Sequence, residues 1–124
     1  MVVKVKTWIE DDSEHLIFGG GKTQVLELID ETGSISEASK KVGMNYKKAW
    51  THIKILQEYI EDDLVVVNKG RESGGTTLTP KAKELILKYK QLEAEVKAYS
   101  TKRFQEIFIA DGNVIHCTKD KQDV

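Results

Sequence analysis

Lys40, Lys41, Lys47, Lys48 and Lys54 fall within a fifteen-residue window that holds no acidic residue, and Tyr46, Thr51 and His52 stand among them. Ammonium groups at that density, interleaved with a phenol and a hydroxyl, suit electrostatic and hydrogen-bonding contact with a polyanion. Covalent chemistry has no comparable signature. No Ser-His-Asp, paired-carboxylate or metal-ligand arrangement stands out, so neither an enzyme nor a cofactor is expected. His15 and His52 are isolated, and His116-Cys117 is a pair with no partner cluster to complete a metal site. Gly19-Gly20-Gly21 beside Lys22 does not keep the Walker phosphate-loop spacing and reads as a flexible joint.

Two helices must carry the lysines. Ser34 is an N-cap, with Glu37 placed to close a capping box, and Ile35, Ala38 and Val42 share a face of a short helix that Gly43 ends. Asn45 caps a second helix whose buried stripe is Ala49, Ile53, Leu56 and Ile60. A helix, a short glycine turn and a second helix opening on cationic and polar residues is the helix-turn-helix pattern that lays a recognition helix in a DNA major groove. Tyr46, Lys47, Lys48, Thr51 and Lys54 would face base edges and phosphates, with Ser36 and Lys40 near enough for backbone contacts. Trp50 flanks the stripe and is assigned to packing against a dimer helix.

The chain has 124 residues, 40% hydrophobic and 31% charged, enough for one domain with a core and extensions. Its net charge of −1 hides a division. Residues 1–33 sum to −4, residues 34–103 to +5 and residues 104–124 to −2. Phosphate binding needs a local basic surface, so the middle segment outweighs the total. Cys117 is the sole cysteine, which excludes an intrachain disulfide, and no apolar run is long enough for a membrane span. No secretory signal is visible near Met1, and a cytoplasmic protein is expected.

The flanking elements follow from period and punctuation. Val3 to Ile9 and His15 to Phe18 suggest a β-hairpin about an acidic turn, and Val25, Leu28, Ile29 and Thr32 mark a helix ending at Gly33. Leu64 to Val67, a glycine-rich loop and Thr76 to Leu78 read as strand, loop and strand, the wing of a winged helix. Lys69 and Arg71 at its tip would extend the DNA contact. Thr79-Pro80 starts a long helix on which Ala82, Leu85, Tyr89, Leu92, Val96 and Tyr99 form a heptad seam. Leu85, Tyr89, Leu92, Val96 and Tyr99 are therefore expected to join two copies into a homodimer that presents two recognition helices to a palindromic site about 34 Å or a multiple apart. Ile107 to Cys117 suggests a small hairpin about Asp111-Gly112.

The fold class expected is α+β, mainly helical: a winged helix-turn-helix with an N-terminal β-hairpin and a long C-terminal dimerisation helix. Residues 1–78 would form the DNA-binding domain, 79–104 the dimerisation helix and 105–124 a short tail. The function expected is regulation of transcription through double-stranded DNA, with no membrane partner and no effector identified. The competing reading is a winged-helix protein-interaction module without specific DNA binding.

Gly33-Ser34-Ile35-Ser36, Gly43 to Trp50 with its Tyr-x-x-Ala-Trp, Gly74-Gly75 and Leu78-Thr79-Pro80 together resemble the N-terminal DNA-binding domain of the molybdate-responsive ModE regulators. More distantly, they are similar to LysR-type helix-turn-helix domains. The resemblance covers about residues 3–103. It implies a winged helix-turn-helix dimer joined through its first and last long helices, regulating molybdate uptake or molybdenum-enzyme genes. Full ModE proteins sense molybdate with C-terminal oxyanion-binding β-barrel domains. About twenty residues follow the long helix here, so the stand-alone form lacking that domain is expected.

Overall fold

A computed structural model describes residues 1–68 and 75–111. Strands β1 (Trp8–Glu10) and β2 (Leu16–Gly19) are followed by helices α1 (Gly20–Thr32), α2 (Ile35–Val42) and α3 (Tyr46–Ile60). Strands β3 (Val65–Val67) and β4 (Thr76–Leu78) come next, then helix α4 (Pro80–Phe104) and a π-helical segment, α5 (Gln105–Asp111). The chain divides into two compact units, Thr7–Lys90 and a second made of Met1–Lys6 with Gln91–Val124.

In the unit Thr7–Lys90, α1 packs on α2 and β4, α2 packs on α3, and both α1 and α3 meet β2. The sequence dictates each junction. Gly33 and Gly43 end α1 and α2 at φ 72° and 74°, where an L side chain would be strained, and Ser34 and Asn45 cap the helices that follow. The Ser34 hydroxyl accepts from the Glu37 amide at 3.1 Å. The other half of the expected capping box is taken over, because the Ser34 amide donates to Thr32 Oγ1 at 3.2 Å instead of to Glu37.

Phe18, Leu26, Ile29 and Leu64 are the largest fully buried side chains, and α4 contributes Ala82, Ile86 and Tyr89 to the same core. Phe18 meets the Tyr89 ring edge-on at 4.9 Å between centroids, while the Tyr89 hydroxyl donates to the Thr7 carbonyl at 2.6 Å. The seam expected along α4 therefore divides. Tyr89 is buried in the core of its own chain with Ala82, whereas Leu92 and Tyr99 are 44% and 65% exposed.

β3 and β4 pair antiparallel, Val65 with Leu78 and Val67 with Thr76. Their ladder continues to the α1–α2 junction, where the Thr76 amide donates to the Gly33 carbonyl at 2.8 Å. The base of this hairpin is tied to α3 and α4: Gln57 Oε1 accepts from the Leu64 amide at 2.9 Å, and Thr79 Oγ1 donates to the Asp63 carbonyl at 2.7 Å. Residues 69–74, with the Lys69 and Arg71 expected at the wing tip, lie outside the described residues.

Three expectations are corrected. The N-terminal strand covers only Trp8–Glu10, since β2 offers four residues as a partner and the register shifts between Ile9 and Glu10. The triple glycine is no joint: Gly19 ends β2 and Gly20-Gly21 form the first turn of α1, which the Thr23 hydroxyl secures by donating to the Gly19 carbonyl at 3.1 Å. Ile107 to Ala110 continue the helical path as α5 and do not form a strand, while the Val114 to Cys117 half of that expected hairpin lies outside the described residues. A two-stranded hairpin is marginal alone, whereas the helical path keeps backbone bonds local and brings Phe104 and Phe108 within 5.5 Å.

The hairpin is braced against α3 at one point. Asp11 Oδ2 accepts from the Tyr59 hydroxyl at 2.5 Å, and its Oδ1 accepts from the amides of Ser13 and His15, each at 2.9 Å. The Tyr59 hydroxyl, then the His15 amide, hold the Asp11 carboxyl down to about 2 from its ordinary 3.8. Because the folded value is the lower one, this brace contributes fully above about pH 4 and is lost as pH falls to about 2. The stability gap between wild type and Asp11→Asn in urea titrations should close over that window; a pH-independent gap would contradict the brace. Phe18→Ala should cost about 3–5 kcal/mol by the same titration at neutral pH, against less than 1 kcal/mol for a surface control such as Gln24→Ala.

Candidate nucleic-acid interface

Ala49, Ile53 and Leu56 are buried at 0%, 3% and 3% exposure and fix the rotation of α3 about its axis. With 100° per residue, Thr51 then points directly away from the core, with Lys47 and Lys54 beside it toward the Tyr46-Trp50 flank, and all three are exposed. Tyr46 and Trp50 lie on one flank of this face and Lys48 on the other. Among the described residues, no carboxylate forms an ion pair with Lys47, Lys48 or Lys54. Their charges are available to a ligand.

The electrostatics of α3 run opposite to what helix stability favours. Its first turn holds Lys47 and Lys48 and no acid, and its last turn holds no base. Glu58, Glu61, Asp62 and Asp63 crowd the far end. The macrodipole favours anions at the N-terminus and cations at the C-terminus, so both ends carry the unfavourable sign. Helix α2 shows the ordinary arrangement, with Glu37 in its first turn and Lys40 and Lys41 in its last. The N-terminal pole of α3 thus adds side-chain charge to the positive end of its dipole, which suits an anionic ligand.

Other expected contact residues are placed as follows. Ser36 is exposed in the first turn of α2, and its carbonyl accepts from the Ser39 hydroxyl at 2.8 Å. Lys40 is exposed but 3.7 Å from Glu37 Oε1, a surface pair that salt and solvent leave weak. The Thr51 hydroxyl donates to the Lys47 carbonyl at 2.9 Å, so only its lone pairs face outward.

Three residues of this region carry roles that composition and stripe counting did not show. Trp50 is half-buried against the core of its own unit, and its indole N–H donates to the Tyr46 hydroxyl at 2.7 Å. The four-residue Tyr-Trp spacing was the signal for that pairing. Lys22 is buried at 8% exposure and donates to the Ile17 and Leu16 carbonyls at 2.7 and 3.3 Å; burial lowers its ammonium pKa. It stitches α1 to β2 and does not serve a phosphate. His52 lies close by with Nδ1 unpartnered, and burial, then the charges of Lys22 and Lys48, lower its pKa and favour the neutral ring.

A two-helix turn with this core, followed by a short antiparallel hairpin, defines the winged helix-turn-helix class. The pattern of the bacterial regulatory helix-turn-helix proteins of the lysR family matches residues 22–83, and the chain belongs to that family. It is 37% identical over 78 residues to the molybdenum transport protein ModE of Azotobacter vinelandii, covering 62% of this chain and 29% of that protein. It is 35% identical over 79 residues to the molybdenum-pterin-binding protein MopB of Rhodobacter capsulatus, covering 63% and 29%. With the transcriptional regulator ModE of Haemophilus influenzae the identity is 34% over 73 residues, covering 58% and 29%. The matched stretch therefore spans less than a third of each relative. Among solved structures, Vibrio fischeri DarR in complex with DNA superposes with a TM-score of 0.52 at 15% identity, over 75% of this chain and 30% of that one, a likeness of fold. No helix among the described residues is long and apolar enough to cross a membrane.

The reversed charges give a direct test. Lys47→Glu should raise stability by roughly 0.3–1 kcal/mol by relieving the first turn of α3, measured as a shifted urea midpoint at low salt. A loss of stability would mean that Lys47 is a structural residue.

Proposed function

We propose that this chain is a dimeric, sequence-specific DNA-binding regulator of transcription of the ModE type, tied to molybdate transport or molybdenum-enzyme genes. The observation that carries the reading is the acid-free cationic first turn of α3, kept at the positive pole of a helix whose stability it lowers. The names of the ModE relatives supply the gene class. In this reading residues 1–78 form the DNA-binding part, α4 joins two copies through Leu85, Leu92, Val96 and Tyr99, and residues 105–124 form a tail. Tyr46, Lys47, Lys48, Thr51 and Lys54 enter the major groove, Ser36 and Lys40 approach the backbone, and the wing brings Lys69 and Arg71. The protein acts in the cytoplasm, where the chromosome is.

Selection of duplexes from a random pool by the purified protein should yield an inverted repeat with half-sites about one helical turn apart or a multiple of it. On the selected duplex, Lys47→Ala and Lys48→Ala should each lower the slope of log affinity against log salt by about 0.9 for every phosphate the variant no longer neutralises. Recovery of no consensus, with binding that disappears near physiological salt, would instead favour a protein-interaction module. Leu92→Glu combined with Tyr99→Glu should convert the dimer to a monomer in sedimentation experiments while leaving the helical circular dichroism intact; an unchanged mass would place the dimer contact elsewhere.

A further inference from the structure

Tyr46, Trp50 and Lys54 stand at four-residue intervals along one flank of α3 and touch in sequence. The Trp50 indole N–H donates to the Tyr46 hydroxyl oxygen at 2.7 Å, and the Lys54 ammonium lies 5.7 Å from the Trp50 ring centroid. Trp50 can only donate, so the direction of the first contact is fixed by chemistry. Once Tyr46 has accepted it, the phenol proton must point away from the indole, toward solvent, where Tyr46 is 50% exposed. Trp50 is itself half-buried and packs against the hydrophobic core, which limits its freedom to move.

We infer that Trp50 is a positioning residue for DNA recognition, presetting Tyr46 as a hydrogen-bond donor to an acceptor atom of the duplex and Lys54 as a charge beside it. The inference rests on the DNA-binding reading above and assigns this flank a polarity. It should seek acceptors, phosphate oxygens or the N7 and O6 atoms of purines, in preference to the amino donors of cytosine and adenine, which would reach only the remaining lone pair of the phenol oxygen. A donated N–H polarises the phenol and strengthens its own donation, and pinning the ring spares rotamer entropy at binding. Trp50 thus acts through Tyr46 without needing to reach a base.

The test is a double-mutant cycle on the duplex selected by the wild-type protein, with a scrambled duplex of equal length and composition alongside. Tyr46→Phe should weaken binding roughly 3–10-fold, the worth of one net hydrogen bond. Trp50→Phe should weaken it about 2–5-fold by removing the polarisation and the pinning while still offering Lys54 an aromatic face, so the double variant should bind no worse than Tyr46→Phe alone. Thermal midpoints of all four proteins are measured together. Should Trp50→Phe fold poorly, benzothienylalanine at position 50 in a Trp8→Phe background removes the N–H while keeping the ring's shape. Losses confined to the selected duplex would put the acceptor on a base edge, and equal losses on both duplexes would put it on a phosphate; either supports the assignment. Multiplying losses, or an unchanged affinity for the benzothienyl protein, would overturn it while leaving the DNA-binding reading standing. If the wild-type protein selects no duplex and binds random DNA only weakly, both fall.

Discussion

Helix α3 is held in place against its own electrostatics, and the rest of the fold makes this possible. Lysines in its first turn and acids at its last cost stability at both poles, by roughly 0.3–1 kcal/mol for each misplaced charge near an end. A helix of this length would fray in isolation. It persists because Ala49, Ile53 and Leu56 bury one stripe and because Asn45 Oδ1 accepts the Lys48 amide at 2.8 Å. Burial of those side chains is worth several kcal/mol, so packing outweighs the charge penalty and the cationic face is kept.

The surrounding contacts all limit how α3 can tilt or slide. α2 meets its N-terminal half across the Gly43 turn, the Gln57 side chain fixes the start of β3, and Tyr59 links the C-terminal half to Asp11 of the first hairpin. Asp11 is engaged by Tyr59 and by its own loop, well away in sequence from the first turn of α3.

The helix-turn-helix was legible because every boundary has a local cause: a cap at Ser34 and at Asn45, a left-handed glycine at Gly33 and at Gly43, and a stripe of period 3.6 between them. The wing strands were legible from their β-branched runs. Errors arose where tertiary partners decide. The first strand reads long but extends only as far as its partner allows, and Ile107 to Ala110 reads as strand but continues a helix. A seam on α4 could be counted, yet counting could not tell that Tyr89 would be drawn into its own core by Phe18 and Thr7. At the candidate interface the lysines were evident from charge density. The Tyr46-Trp50 bond had only its four-residue spacing to signal it, and an aromatic beside a buried stripe reads as packing until the direction of its N–H is known.

The most direct measurement is lysine acetylation of the protein with and without its selected duplex, followed by mass spectrometry of each site. The account predicts protection centred on Lys47, Lys48 and Lys54, with Lys81, Lys83 and Lys88 on α4 acetylated equally in both samples. Protection centred on α4, with α3 unprotected, would contradict it.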